Sequence, residues 1–183
     1  MAGRPQAREI RAASGQLDLH ASGQQALAIM QLPQHEAVIR PEWIDANGHM
    51  NLAYYIVVFD HATDTVFDAL DIGSAYRQRT GYSSFIVETH TQYEREVMVD
   101  ERVVVASRLL GVDGKRLHLF HEMFRTGAPE RVAAHELMCL NIDLTSRRVV
   151  PFPPEQQIAL TDAVVAQSGL KLPKGIGRRI AMG

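Results

Sequence analysis

The chain has 183 residues, 46% of them hydrophobic, a formal net charge of −2 and a sequence pI of about 6.4. This size suits one domain with a substantial core, and the lack of a basic excess argues against nucleic acid as a partner. No apolar run reaches the roughly 18 uncharged residues that a membrane-spanning helix needs, so no membrane partner is expected. The single cysteine, Cys139, excludes an intramolecular disulfide and is expected to be a core residue of a reducing, cytoplasmic protein.

Composition divides the chain into three parts. Residues 1–34 are rich in Ala, Gln, Ser, Gly and Arg, which predicts a flexible N-terminal extension with one short helix near residues 24–31. A secretory signal is not expected, because no apolar block follows the arginines there. Residues 35–170 carry most of the large apolar side chains and form the predicted domain. Residues 171–183 are predicted to be a basic C-terminal tail.

Residues 36–73 predict a short strand followed by a long helix. The strand covers residues 36–40 and is broken by Pro41. Asn51 is a credible N-cap, and apolar residues recur every three or four positions from 52 to 70. Because apolar residues occupy more than one side of this helix, we expect other elements to enclose it, and Gly73 is expected to end it.

The remainder of the chain predicts a sheet. Four strands are expected at residues 85–96, 101–110, 116–125 and 131–144, with Asp113-Gly114 as a tight hairpin between the second and the third. Residues 149–152 are expected to continue the sheet, and a surface helix follows at 155–167. One long helix against about five mainly antiparallel strands predicts an α+β, two-layer fold.

The loop before the long helix combines groups suited to attack on a carbonyl. Asp45 is a carboxylate that can serve as nucleophile or general base. Gly48 allows a tight turn and close approach of a ligand, and the N–H groups of Asn51 and Leu52 can bind a developing oxyanion at the helix start. The alternative is that Asp45 and Asn47 are ordinary turn residues and that His49 merely packs.

The same loop carries a resemblance to a known family. Asp45 to Asn51, followed by Tyr55 and the later Tyr93, resembles hotdog-fold acyl-CoA thioesterases of the 4-hydroxybenzoyl-CoA thioesterase type over residues 36–153. A closer likeness, to the betainyl-CoA thioesterases of carnitine breakdown, rests on three stretches: Trp43-Ile44-Asp45-x-Asn47-Gly48-His49-Met50, Val87-Glu88-Thr89-His90 and Lys115-Arg116-Leu117-His118-Leu119-Phe120-His121. The resemblance implies a single hotdog domain that hydrolyses betainyl-CoA to betaine and CoA.

The resemblance also implies roles for the loop residues. Asp45 would attack the thioester carbon or activate water, and the helix start at Asn51 and Leu52 would polarise the carbonyl. Asn47 and His49 would shape the site or hold water. No metal and no separate cofactor are implied, since coenzyme A is part of the substrate.

Recognition of the acyl group is assigned to aromatic and acidic side chains. Glu88 and His90 share one strand face by two-residue alternation and are predicted to form a site wall or a solvated face. Trp43, Tyr54 and Tyr55 offer aromatic faces for a trimethylammonium group. The basic groups for the CoA phosphates stay open among Arg77, Arg79, Arg116 and residues 174–179.

The expected partners are an acyl-CoA substrate and further copies of the chain. The second sheet face and the sheet edges need cover, which predicts a homodimer or homotetramer. Other readings remain: a thioesterase for another short-chain or aromatic acyl-CoA or for acyl-carrier protein, and a non-catalytic acyl-CoA-binding hotdog protein.

Overall fold

The computed structural model describes residues 32–182, which form one antiparallel sheet with helices packed on it. The strand order is β1-β3-β4-β5-β2, and β6 pairs with β5. The strands are β1 (His35–Val38), β2 (Tyr82–Tyr93), β3 (Arg102–Val112), β4 (Arg116–Arg125), β5 (Arg131–Asp143) and β6 (Arg148–Val149). The helices are α1 (Leu52–Ala69), α2 (Ser74–Thr80) and α3 (Pro154–Gln167), and a 3-10 turn spans Pro41–Trp43.

This architecture confirms the predicted α+β fold with a mainly antiparallel sheet. The third predicted strand matches β4 at both ends, and the others agree to within a few residues. The helix predicted near residues 24–31 lies outside the described residues. No described helix combines the length and the apolar character needed to cross a bilayer.

Helix α1 lies across the sheet and buries one side. Asn51 is its N-cap, with its side-chain oxygen accepting from Ala53 N–H at 3.0 Å. The buried side consists of Tyr55, Val58, Phe59, Ala62, Thr63, Val66 and Phe67. The opposite side carries exposed charges, and its apolar Leu52 is 62% exposed. Among residues 32–182, the sheet covers this buried side of α1, and the opposite side is exposed.

The segment after α1 departs from the prediction. The helix ends at Ala69, and the short helix α2 follows, which the sequence did not predict. Gly73 does not end α1 but precedes α2 and lies against Asp68, where an added Cβ would be only 2.0 Å from Oδ1. Asp68 Oδ1 accepts a hydrogen bond from Ser74 N–H at 3.1 Å, so the end of one helix positions the start of the next.

A row of polar side chains crosses the sheet under α1. His121 of β4 and His135 of β5 are paired across the strands and stack at 6.2 Å between ring centroids. His121 contacts Thr63 Oγ1 at 3.0 Å and Ser107 Oγ at 2.8 Å, and His135 contacts Thr91 Oγ1 at 2.7 Å. These bonds tie four strands and the helix together inside the core.

The sheet face that points away from α1 is crossed by the C-terminal strap, residues 171–182. Arg108 of β3 donates to Lys171 O at 3.0 Å, and Arg131 of β5 donates to Lys174 O at 2.9 Å. Gln92 of β2 donates to Gly175 O at 3.3 Å. The strap therefore runs from β3 to the edge strand β2.

Cys139 lies on β5 in the core between the sheet and α1. Its side chain is fully buried among apolar neighbours. Burial raises the pKa of its thiol to about 12. The prediction of a small core residue is confirmed.

Candidate active site

The loop from Trp43 to Asn51 is a closed turn built from its own backbone. Ile44 and Met50 pair as an isolated antiparallel bridge, and Asp45 N–H donates to His49 O at 3.0 Å. Gly48 has φ 85°, a left-handed conformation that favours glycine. Helix α1 begins directly after this turn, and Asp45 lines the same cleft as the first residue of the helix, Leu52.

Asp45 is half-buried and is oriented by this turn. Its Oδ1 accepts a hydrogen bond from Asn47 N–H at 2.8 Å, which fixes the carboxylate while Oδ2 makes no hydrogen bond within the described chain. Both residues line a cleft of about 450 Å³, together with His49, Met50, Asn51, Leu52, Tyr55, Tyr93, Glu94, Arg95 and Glu96. The predicted catalytic residues Asp45, Asn47 and His49 therefore share one cavity.

The backbone donors at the helix start are not equivalent. Asn51 N–H donates to Trp43 O at 2.9 Å and is already used. Leu52 N–H, one residue further along, makes no hydrogen bond to any described residue, as is usual in the first turn of a helix. Of the two predicted oxyanion donors, Leu52 is the one whose N–H is free beside the cleft.

His49 is held at the mouth of the cleft by two contacts. Its Nδ1 lies 3.3 Å from Met50 O, and its Nε2 lies 3.8 Å from Glu96 Oε1. Glu96 was not among the predicted site residues. It reaches the cleft because β2 ends at Tyr93, three residues before the predicted end.

Two tyrosines form the inner wall of the cleft. Tyr55 of α1 and Tyr93 of β2 meet edge to face at 5.2 Å between ring centroids, and Tyr55 OH donates to Arg95 O at 3.1 Å. Burial raises the pKa of both phenols, so they stay neutral at physiological pH. Tyr93 was matched to the family pattern but not assigned to the substrate site, because the predicted strand ran past it to residue 96.

Trp43 and Tyr54 lie beside the site rather than in it. Their rings stack at 5.5 Å with an interplanar angle of 14°, and Arg40 covers the Trp43 ring at 5.3 Å. Neither residue lines the Asp45 cleft. Within one chain these two rings pack with the hydrophobic core next to the loop.

Glu88 and His90 lie on the outer face of the sheet, away from α1. They line a second cleft of about 340 Å³ with His118, Glu136 and the C-terminal strap. The alternation that placed both residues on one face is correct, but within one chain that face is not the face of Asp45. His118 lines this outer cleft, whereas His121 lies in the core under α1, and within residues 32–182 no cluster of three or more His, Cys, Asp or Glu is arranged to hold a metal.

Comparison with known proteins gives the same family from sequence and from structure. The model of the Thioesterase-like superfamily matches residues 39–160. A betainyl-CoA thioesterase from Pseudomonas aeruginosa is 36% identical over 151 residues, which cover 82% of this chain and 95% of that protein. An L-carnitine dehydrogenase/betainyl-CoA thioesterase from Agrobacterium fabrum is 38% identical over 146 residues, which cover 80% of this chain and 30% of that protein.

Solved structures share the fold. A Staphylococcus aureus protein in complex with CoA superposes with a TM-score of 0.77 at 26% identity, covering 84% of this chain and 96% of that one. A 1,4-dihydroxy-2-naphthoyl-CoA thioesterase from Synechocystis superposes with a TM-score of 0.61 at 14% identity, covering 69% and 93%, which is a likeness of fold alone.

The helix across an antiparallel sheet, with a carboxylate in the loop that starts the helix, defines a hotdog-fold thioester hydrolase. The expected fold and reaction class are thereby confirmed. The chain belongs to the Thioesterase-like superfamily.

Proposed function

We propose that the protein hydrolyses betainyl-CoA to betaine and CoA in carnitine breakdown, in the cytoplasm. The relatives from Pseudomonas aeruginosa and Agrobacterium fabrum carry that activity in their names. The observation that carries the proposal is the Asp45 carboxylate, fixed in a cleft beside the free Leu52 N–H at the start of α1. A nucleophile or base next to an oxyanion donor is what cleavage of a thioester needs.

Two routes use the same atoms. In one, Asp45 attacks the thioester carbon to give a mixed anhydride, which water then hydrolyses. In the other, Asp45 takes a proton from a water molecule that attacks directly. In both, the carbon–sulfur bond breaks, CoA leaves as a thiolate that takes up a proton, and an oxygen from water ends in the carboxylic acid product. Leu52 N–H would stabilise the tetrahedral oxyanion in either case.

The cleft suits a cationic acyl group. The rings of Tyr55 and Tyr93 offer the aromatic faces that attract a trimethylammonium group. Glu96, whose side chain is exposed at the cleft mouth, adds negative charge. We therefore propose these three residues, rather than Trp43 and Tyr54, as the ones that recognise the acyl group.

A thiol-trapping assay over a panel of acyl-CoA esters tests the proposal. We expect the highest kcat/KM for betainyl-CoA and a much lower value for isosteric 3,3-dimethylbutanoyl-CoA, which lacks the charge. Preference for the neutral ester, or for an aromatic acyl-CoA or an acyl-carrier protein, would replace the substrate while keeping the reaction. Binding of acyl-CoA without release of thiol from any ester would overturn the catalytic proposal.

We also propose a homodimer through β2, with a homotetramer as the larger alternative. β2 is an edge strand, and its residues Phe85, Ile86 and Val87 are all exposed. An uncovered edge with apolar side chains is a ready surface for strand pairing with a second copy. A partner there would also lie beside the side of α1 that residues 32–182 leave exposed.

A further inference from the structure

The C-terminal strap is a fixed part of the fold at its junction with β2. Gln92 donates to Gly175 O, and Gly177 N–H donates to Glu136 Oε2 at 2.7 Å. Gly175 has φ 98°, and an added Cβ would lie 2.8 Å from Gln92 Nε2. Glycine at this position therefore lets the strap lie directly on the strand.

Two arginines at the end of the strap line two neighbouring clefts. Arg178 and Arg179 line the outer-face cleft described above and also a cleft of about 330 Å³ that follows β2 from His90 to Glu94. The latter shares Tyr93 and Glu94 with the Asp45 cleft. The active-site cleft and the strap arginines thus adjoin around the end of β2.

Two of the carboxylates around this junction already have partners. The Glu94 carboxylate accepts two hydrogen bonds from the Arg131 guanidinium, at 2.6 and 3.2 Å, and this ion pair compensates its negative charge. Glu136 lies 2.8 Å from His118 Nε2 and accepts the Gly177 N–H. Glu88 lines the outer-face cleft with the two arginines as well, and within residues 32–182 none of these three carboxylates forms an ion pair with Arg178 or Arg179.

The strap arginines keep donors free. Arg178 donates one hydrogen bond to Gln92 Oε1 at 2.9 Å, and a guanidinium group has five N–H donors in all. Arg179 is exposed and makes no ion pair within residues 32–182. Between the two clefts His90 Nδ1 is buried without a hydrogen-bond partner in the described chain, which is a polar atom that a ligand would satisfy.

We propose that Arg178 and Arg179 form the subsite for the phosphate groups at the nucleotide end of the CoA ester. This inference rests on the proposed function for the identity of the ligand. The thioester lies at Asp45, the pantetheine arm passes Tyr93 and Glu94 at the end of β2, and the phosphates reach the strap. Guanidinium groups bind phosphate oxygens through paired, charge-assisted hydrogen bonds, which a chain of net charge −2 must supply locally.

Thioesters with and without phosphates test the subsite. For the double variant Arg178→Ala/Arg179→Ala, we expect KM for betainyl-CoA to rise about tenfold or more with kcat nearly unchanged. KM for the betainyl ester of pantetheine, which carries no phosphate, should stay the same. Equal losses with both esters would show that the arginines support the fold of the strap, and the subsite would be overturned.

Two further variants separate binding from structure. Arg179→Ala alone removes no contact of the strap within the described chain, and we expect it to raise KM for the CoA ester by itself. Arg178→Lys/Arg179→Lys keeps the charge and should recover part of the loss. The matched control, Arg102→Ala/Lys115→Ala, removes two positive charges from residues outside these clefts and should leave both KM values unchanged.

Calorimetry with CoA itself distinguishes failure of this subsite from failure of the proposed function. We expect wild-type protein to bind CoA more tightly than pantetheine, and the double alanine variant to lose that difference. If no ester is hydrolysed but this pattern holds, the proposed function fails and the subsite stands. If CoA and pantetheine bind alike to the wild type, or if the variant keeps the difference, the subsite is excluded.

Discussion

At the scale of single residues, the position of Asp45 is set by backbone groups of its own turn. Asn47 N–H fixes one carboxylate oxygen, and the left-handed Gly48 closes the turn. Asn51 uses its N–H on Trp43 O and its side chain on Ala53 N–H. The residues around Asp45 therefore build the loop, while Oδ2 of the carboxylate has no hydrogen-bond partner within residues 32–182.

Asp45→Asn removes the nucleophile or base while keeping the shape of the side chain. We expect kcat for the preferred ester to fall about a hundredfold or more with the melting temperature within a few degrees of wild type. Asp162→Asn, an exposed carboxylate on α3, is the matched control and should keep full activity. Undiminished turnover in Asp45→Asn would remove this carboxylate from the mechanism.

The sequence predicted which loop residues share the cleft better than it predicted the aromatic and acidic side chains that line it. Asp45 and His49 were recognisable because their spacing precedes a capped helix. Trp43 and Tyr54 were chosen as aromatic faces, but ring stacking turns them toward each other. Glu96 could not be anticipated, because its approach to the cleft depends on where a strand stops.

At the scale of secondary structure, the end of β2 decides what reaches the cleft. The N–H groups of Glu94 and Arg95 both donate to Val132 O, which breaks the regular ladder after Tyr93. The predicted strand ran three residues further, since alternation alone does not show such an irregularity. In the same way, alternation showed that Glu88 and His90 share a face but not which face α1 would cover.

The missed helix α2 has a similar cause. Its seven residues give too short a window for a helical period, and only Tyr76 among them is buried. Tyr76 OH donates to Asn141 Oδ1 of β5 at 3.0 Å, a contact between residues 65 positions apart. Tertiary contacts of that kind stabilise the helix, and a local sequence pattern does not predict them.

The histidine row makes stability depend on pH. Burial, with the neighbouring imidazole as a second cause, lowers the pKa of His121 to about 3; burial likewise lowers that of His135 to about 4. In the unfolded chain both would titrate near 6.5, at about the ordinary value. Below that pH the unfolded state binds protons that the folded state does not, so stability falls as the pH falls toward 4.

His121→Gln tests this dependence. The free energy of unfolding in urea should decrease at pH 7.5, where hydrogen bonds to Thr63 and Ser107 are disturbed. Its decline between pH 6.5 and 4.5 should be shallower by up to about 1.4 kcal/mol per pH unit, because one titrating group is gone. Thr161→Ser, at an exposed residue of α3 that has no group titrating in this range, should keep the wild-type slope at the same protein concentration. The same slope in all three proteins would contradict the role of the row.

At the scale of the whole molecule, two surfaces are left exposed by the part of the chain that the structure describes. One is the free edge of β2 and the other is the exposed side of α1 beside it. A second copy that extends the sheet through β2 would cover both at once. The edge strand β1 has only four residues and offers much less to pair with.

Val87→Lys should weaken that association. Val87 is 53% exposed on the free edge, and a charge there discourages strand pairing. We expect light scattering after gel filtration to show a lower mass, with a dissociation constant raised about tenfold or more. Ile158→Lys places the same charge on α3, at a residue that is 63% exposed, and should not change the mass. A monomeric wild type, or a Val87→Lys protein of unchanged mass, would exclude this interface.

The burial of Cys139 has a consequence for the product of the reaction. A thioester hydrolase releases a free thiol at every turnover, and thiols exchange with one another through disulfides wherever a thiolate is exposed. The sulfur of Cys139 is enclosed and stays protonated, since burial raises its pKa to about 12. A disulfide of the released CoA therefore cannot react with Cys139, and no mixed disulfide between CoA and this residue is expected.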